Sequence, residues 1–215
     1  MADKRATYRS LGAQGLLGAG SCHDVPRPAQ TVSGSASGLK DRGCDLVLAL
    51  AGNPNAGKTT LFNTLTGLRQ HVGNWPGKTI EKKEGSCRFE RLTLGVVDLP
   101  GTYSLTAYSP EEVIARDFVL EAWPDVIIDV VDATNLERNL YLTVQLLELG
   151  VPLVLALNMA DELRRQKGAI DLCALSIALG GIPVVPTAAS RGEGIDELLA
   201  QAVRVARTSA QRHGT

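Results

Sequence analysis

Gly52-Asn53-Pro54-Asn55-Ala56-Gly57-Lys58-Thr59 matches G-x-x-x-x-G-K-[ST], the phosphate-binding P-loop. The run in front of it, Leu46-Val47-Leu48-Ala49-Leu50-Ala51, has the length and apolar character of a buried strand. Thr60-Leu61-Phe62-Asn63-Thr64-Leu65 behind it opens a helix. That strand, loop and helix order is the context in which the motif does chemistry. Gly52 and Gly57 let the backbone curl until successive N–H groups point inward at phosphate oxygens. The helix N-terminus adds partial positive charge. Lys58 supplies a full cation for the β- and γ-phosphates, and the Thr59 hydroxyl is placed to ligate Mg²⁺. The candidate nucleotide-binding stretch therefore runs from Gly52 through Thr60.

The chain has 215 residues and a net charge of −1, which fits one domain or one domain with an appendage. Hydrophobic residues make up 44%, enough for a sizeable core. Aromatic residues make up only 4%, so platforms for stacking bases are scarce. Together with near-neutral charge, this argues against a nucleic-acid partner. Cys22, Cys44, Cys87 and Cys173 are scattered without C-x-x-C spacing, the pattern of free thiols in a reducing compartment. Cys22-His23 cannot complete a tetrahedral metal site by itself. No apolar run approaches the ~18 residues of a membrane span, and the N-terminal segment is too weakly apolar for a signal peptide, so a soluble chain is expected.

Residues 1–44 are rich in Ser, Gly, Ala and Arg without a sustained period and read as a flexible tail. A domain over 45–207 follows, with 208–215 as a C-terminal tail. Gly67 ends the P-loop helix, and Leu68 to Thr79 reads as a loop. Residues 80–90 and 92–97 read as two strands in succession, an antiparallel edge hairpin. Ser109-Pro110-Glu111-Glu112 starts a helix that reaches about Ala122: an N-cap, Pro at the first position, and Glu112 as the capping-box acid. Residues 126–131, 153–157 and 183–185 are further strands. Helices are expected over Leu136 to Leu149, Asp171 to Leu179 and Ile195 to Ala206. Alternating strands and helices make an α/β domain with a mostly parallel sheet, ligands sitting at the carboxyl ends of its strands.

Two later loops narrow the chemistry. Asp98-Leu99-Pro100-Gly101 follows a strand with D-x-x-G spacing. The Asp98 carboxylate can hold Mg²⁺ through a water, and the Gly101 N–H can bond a γ-phosphate. Asn158-Met159-Ala160-Asp161 follows another strand. The Asp161 carboxylate can accept both donors of the guanine N1–H and N2–H₂ edge. Adenine lacks that pair and would leave the carboxylate unpaired. Three such loops in this order point to a GTPase.

The motifs resemble those of one family, the GTPase domain of the FeoB ferrous-iron transporters. The resemblance rests on Gly52 through Asn63, on Val72-Gly73-Asn74-Trp75-Pro76-Gly77-Lys78-Thr79-Ile80-Glu81, on Asp98-Leu99-Pro100-Gly101-Thr102-Tyr103-Ser104-Leu105, on Asp132 through Leu140, and on N-M-x-D with Met159 where many GTPases place Lys. It spans about residues 45–205. It implies a Ras-like P-loop GTPase fold: a mostly parallel six-stranded sheet with one antiparallel edge strand and helices on both faces. It also implies GTP and GDP as ligands, with Mg²⁺ held by Thr59, Asp98 and the switch-one Thr79. Catalysis then falls to Lys58, Thr79, Gly101 and Asn55.

Asn55 resembles the P-loop asparagine of potassium-activated GTPases. It implies an activating K⁺ between Asn55 and carbonyl groups of the Gly73-Asn74-Trp75 loop. Thr102 stands where Ras-like GTPases carry a water-orienting Gln. The fifth guanine loop, often T/S-S-A-x-x-G, reads Thr187-Ala188-Ala189-Ser190-Arg191-Gly192, with the Ala188 and Ala189 N–H groups expected at the base. FeoB proteins continue past the GTPase domain into a helical and then a transmembrane part, and this chain ends soon after its last helix. It is either a fragment or a stand-alone relative. As part of a transporter it would sit on the cytoplasmic face of the inner membrane. Two rival readings are a nucleotide-sensing switch with negligible hydrolysis and a ribosome- or tRNA-associated GTPase.

Overall fold

Strand β1 (Leu46–Gly52) buries both of its faces, and the rest of the molecule is built outward from it. The computed structural model describes residues 36–213. Leu48 and Leu50 point to one apolar layer, while Val47, Ala49 and Ala51 point to another. This is what a strand period of two produces when helices cover both faces.

The first layer is covered by α2 (Lys58–Thr66), through Leu61, Phe62 and Leu65, and by α7 (Ile195–His213), through Leu198, Leu199, Ala202 and Val203. The second layer is covered by α3 (Pro110–Asp117), whose last turn widens into a π-helical turn over Phe118–Ala122, and by α4 (Leu136–Glu148). Ser109 caps α3 as expected. Its hydroxyl accepts from the Glu112 N–H, and the Glu112 carboxylate accepts from the Ser109 N–H in return.

The remaining strands are β2 (Gln70–Asn74), β3 (Glu81–Phe89), β4 (Leu92–Asp98), β5 (Val126–Asp132), β6 (Leu153–Asn158) and β7 (Val184–Pro186). They form one sheet in the order β2-β3-β4-β1-β5-β6-β7. Strands β4, β1, β5, β6 and β7 are parallel, with Leu50 opposite Asp98, Gly52 opposite Val130 and Asp132 opposite Asn158. The carboxyl ends of four strands thus line up, and the P-loop, the D-x-x-G loop and the N-M-x-D loop leave from the same edge.

The structure corrects the expected layout in three places. The sheet has seven strands instead of six, because Gln70–Asn74, read as loop, is a strand antiparallel to β3. All five of its residues are exposed, so it carries no apolar alternation by which to find it. The expected N-terminal tail contains a helix, α1 (Ala36–Asp41), with Leu39 buried; residues 1–35 of that tail lie outside the described residues. The last helix continues past Ala206 to His213, since no Gly or Pro interrupts it after Ile195. The expected tail 208–215 is therefore helical up to His213, and residues 214–215 lie outside the described residues.

Candidate nucleotide site

The P-loop sits where β1 meets α2, and backbone conformation explains its glycines. Gly52 (φ 144°) and Gly57 (φ 91°) lie in the region that favours glycine. A Cβ on Gly57 would collide with the Asn158 carboxamide, and one on Gly52 with the Val130 carbonyl. Asn55 takes the left-handed conformation (φ 67°), which Asn tolerates better than most residues. Its side chain is exposed at the loop tip, as are Thr59 and Thr60 on the first turn of α2. Asn53 is buried, and its Nδ2 donates to the Arg138 carbonyl of α4 at 3.3 Å. Ala56 is buried, and Pro54 lies against Gly101.

Lys58 is buried, and burial holds its pKa below the usual lysine value, opposed by the charges of Asp98 and Asp129. The Thr59 hydroxyl donates to Asp98 Oδ2 at 3.2 Å. Asp98 Oδ1 is buried and has no hydrogen-bond partner among the described residues. Burial raises the Asp98 pKa, partly offset by Lys58. An orphaned carboxylate oxygen beside a threonine hydroxyl is a hard-oxygen pair suited to Mg²⁺, so Thr59 and Asp98 fit that ion. Gly101 lies over the loop: a Cβ there would be 3.3 Å from Lys58 Nζ and 3.2 Å from Pro54 Cα. The Thr102 N–H donates to the Gly52 carbonyl at 3.3 Å, and the Thr102 hydroxyl donates to the Ser104 carbonyl.

At the far end of the site, Asn158 is buried and spent on the protein. Its Nδ2 donates to the Ala56 carbonyl at 3.0 Å. Its Oδ1 accepts from the Thr187 hydroxyl at 3.2 Å and the Ala189 N–H at 3.1 Å. The Ala188 N–H donates to the Glu193 carbonyl at 3.1 Å. In this arrangement the Ala188 and Ala189 N–H groups expected at a base are both engaged within the protein. The Asn158 carboxamide, which ties the P-loop to the fifth loop, occupies the Ala189 N–H, and the Ala188 to Glu193 bridge occupies the other. Met159 is left-handed (φ 60°), and its turn starts α5 (Ala160–Arg165), whose first turn presents Asp161. Asp161 Oδ2 pairs with Arg191 Nε at 3.0 Å. The sequence reading gave Arg191 no role.

The switch-one residues lie apart from this cluster. Gly73 is in β2, paired opposite Lys82. Trp75 is buried, packed edge-on against Phe118 at 5.6 Å between ring centroids, and its carbonyl accepts from the Lys78 N–H. Thr79 is exposed. Among the described residues no hydrogen bond joins Gly73, Trp75 or Thr79 to Asn55, Thr59 or Asp98.

The sequence model of a family described as "Ferrous iron transport protein B" matches residues 46–202. That span covers all three loops. The chain belongs to the FeoB family. It is 55% identical over 157 residues to the Fe(2+) transporter FeoB of Salmonella typhimurium, covering 71% of this chain and 20% of that protein. It is 49% identical over 171 residues to an Fe(2+) transport protein A/Fe(2+) transporter FeoB fusion protein of Porphyromonas gingivalis, covering 79% and 20%. The chain thus spans about a fifth of the length of the curated relatives it matches.

Among solved structures, a GDP-bound mutant of S. thermophilus NFeoB is 51% identical with a TM-score of 0.71, covering 74% of this chain and 62% of that one. The G domain of T. maritima FeoB is 46% identical with a TM-score of 0.70, covering 75% and 98%. The FeoB G domain is a Ras-like P-loop GTPase module of a family that works on nucleotide with Mg²⁺. Among the described residues of this chain, no helix is long and apolar enough to cross a membrane.

Proposed function

We propose that this chain is the GTP-hydrolysing module of a FeoB-type ferrous-iron transporter, converting GTP and water to GDP and phosphate and coupling that state to helical and transmembrane parts beyond it. The observation that carries the reading is the cluster of buried Lys58, Thr59 bonded to Asp98, and the unpartnered Asp98 Oδ1, at the strand edge shared with Asp161. Lys58 and the P-loop N–H groups bind and orient the β- and γ-phosphates. Thr59 and Asp98 would hold Mg²⁺, with Thr79 as the further hydroxyl ligand the family resemblance implies. When bound, Mg²⁺ supplies positive charge against the phosphate oxygens. The Gly101 N–H meets the γ-phosphate. The Thr102 side chain faces Ser104, so the attacking water is positioned by backbone groups of the switches. Asp161 reads guanine.

Asn55 also fits a K⁺ role, since its exposed amide oxygen is uncommitted within the protein. Gly73 of β2, paired with Lys82, and Trp75 would supply the carbonyl groups of that shell. On this reading the whole transporter sits in the inner membrane with this module on the cytoplasmic face.

Calorimetric titration with GTP and ATP tests base selectivity. Tight GTP binding with far weaker ATP binding is expected, and equal affinities would refute it. Multiple-turnover phosphate release is expected to run faster in K⁺ than in Na⁺ at equal ionic strength, with the difference lost in Asn55→Ala. Negligible release in both salts would favour a nucleotide sensor.

A further inference from the structure

We infer that Arg191 is a specificity-determining positioning residue, holding the Asp161 carboxylate in the orientation that reads the guanine 2-amino group. The inference rests on the base-reading role proposed above for Asp161. Asp161 sits on the first turn of a six-residue helix that no side chain caps. Its side chain is 14% exposed, and among the described residues its carboxylate has one partner, the Arg191 guanidinium, at 3.0 Å. Arg191 comes from the other wall of the base site, the 3₁₀ turn Ala189–Arg191 that Gly192 closes in a left-handed conformation. The two walls are joined at two more points. Arg164 of α5 pairs with Glu193 of the fifth loop at 2.5 Å, and the Ala160 N–H donates to the Thr187 carbonyl at 3.0 Å. The charges are crossed between the walls, acid to base in one pair and base to acid in the other, so sliding one wall along the other would break both.

The geometry leaves the carboxylate usable while the arginine stays. The Arg191 guanidinium meets Oδ2 alone, as an ion pair with Nε at 3.0 Å. A carboxylate has about four lone-pair positions, so Oδ1 and the second lone pair of Oδ2 can still accept N1–H and N2–H from guanine. Arg191 thus has no need to leave when the base arrives. The arginine side chain is 56% exposed, and an ion pair that open contributes little to folding stability by itself. Its effect lies in orientation: a carboxylate fixed before binding spares the nucleotide the entropy of fixing it, an effect of about two- to tenfold in affinity. That gain goes to the contacts Asp161 makes with the base, and most where N1–H and the exocyclic amine are met together.

The test compares GDP with IDP, which has N1–H but lacks the 2-amino group and so meets Asp161 with one donor instead of two. Dissociation constants for both are measured by calorimetry with Mg²⁺ on the wild-type chain and on Arg191→Ala. The expected result is a GDP-to-IDP preference that falls about two- to tenfold in the variant, through a larger loss of GDP affinity than of IDP affinity. Equal loss of both affinities would overturn the inference, because it describes a loop loosened without effect on base reading. An unchanged pair of affinities would overturn it too. A preference that rises would show that Arg191 competes with the base for Asp161 and would overturn it in the opposite sense. A wild-type chain that binds GDP and IDP equally would instead remove the base-reading role of Asp161 itself.

Discussion

Asp129 lies fully buried in the middle of β5, with one carboxylate oxygen accepting from the Thr143 hydroxyl at 2.6 Å and the other unpartnered. Burial pushes its pKa from 3.8 up to about 6, against the Thr143 bond and the Lys58 charge. The folded chain therefore holds this proton more tightly than the unfolded chain does. The stability so contributed is complete below pH 3.8 and is lost as pH rises through about 6. The gap between those values corresponds to about 3 kcal/mol as an upper bound. Asp129→Asn, which cannot ionise, is expected to melt at higher temperature than the wild type at pH 8 and to exceed it by much less at pH 4. A melting difference of the same size at both pH values would count against the account. Residue identity in the sequence carried the chemistry of Lys58, Thr59, Asp98 and Asp161, because those roles follow from functional groups at fixed loop spacing. It could not carry the pairing of Asp161 with Arg191, nor the use of Asn158 as a strut. Both are contacts across 29 or more positions of chain, set by the fold and not by local spacing.

Helix α3 shows which elements a sequence displays and which it hides. Ser-Pro-Glu-Glu is a start signal made of covalent neighbours, and the helix begins there. Strand β2 is held by its ladder to β3 and by the Gln70 side chain, which donates to Asn63, Thr66 and Gly67 at the end of α2, and its residues, all exposed, have no face to bury. Nothing periodic could mark it. Glu112 also does more than cap. Its Oε2 accepts from the Tyr108 N–H at 2.9 Å and the Ser109 N–H at 3.3 Å, and its Oε1 from the Ser104 hydroxyl at 2.8 Å. These bonds, led by the Ser104 hydroxyl, hold its pKa below the usual glutamate range. The segment leaving the D-x-x-G loop is thereby pinned to the start of α3. Glu112→Ala should speed amide exchange at Tyr108 and Ser109 by about tenfold, the loss of a charge-assisted bond. Exchange in β1 should stay as it was. Unchanged exchange at both amides would show that the segment is held by other means.

On the scale of the molecule, the sheet separates two ends with different duties. The nucleotide loops leave the carboxyl ends of β1, β4 and β6, while α1 is fastened at the amino ends. Cys44 N–H donates to the Leu39 carbonyl at 3.2 Å, and Asp45 N–H to the Thr93 carbonyl, at the start of β4, at 2.8 Å. Lys40 pairs with Asp125, just before β5, at 2.8 Å, while Arg42 reaches across to Glu84, opposite Val97 toward the other end of β4, at 2.6 Å. Leu39, 4% exposed, fills the apolar layer beneath β1 and β4. The family match begins at residue 46, so this clasp lies outside the part of the chain that the family model covers. A six-residue helix with one apolar anchor has no period, which is why it was hidden in a tail-like composition. Its ion pairs are partly exposed and add little, so the anchor carries the clasp. Leu39→Ala is expected to cost about 2–3 kcal/mol of stability, the range for a buried leucine whose site closes in part. The seven residues of β1 put about 20 Å between its two ends. At that distance, with no shared partner, the two effects should be independent. GDP affinity measured well below the melting transition should therefore stay within about twofold of wild type. A Leu39→Ala chain that melts early but binds GDP normally is the expected pair of results. Early melting together with a large loss of GDP affinity would mean that the amino-end clasp reaches the nucleotide loops through the sheet.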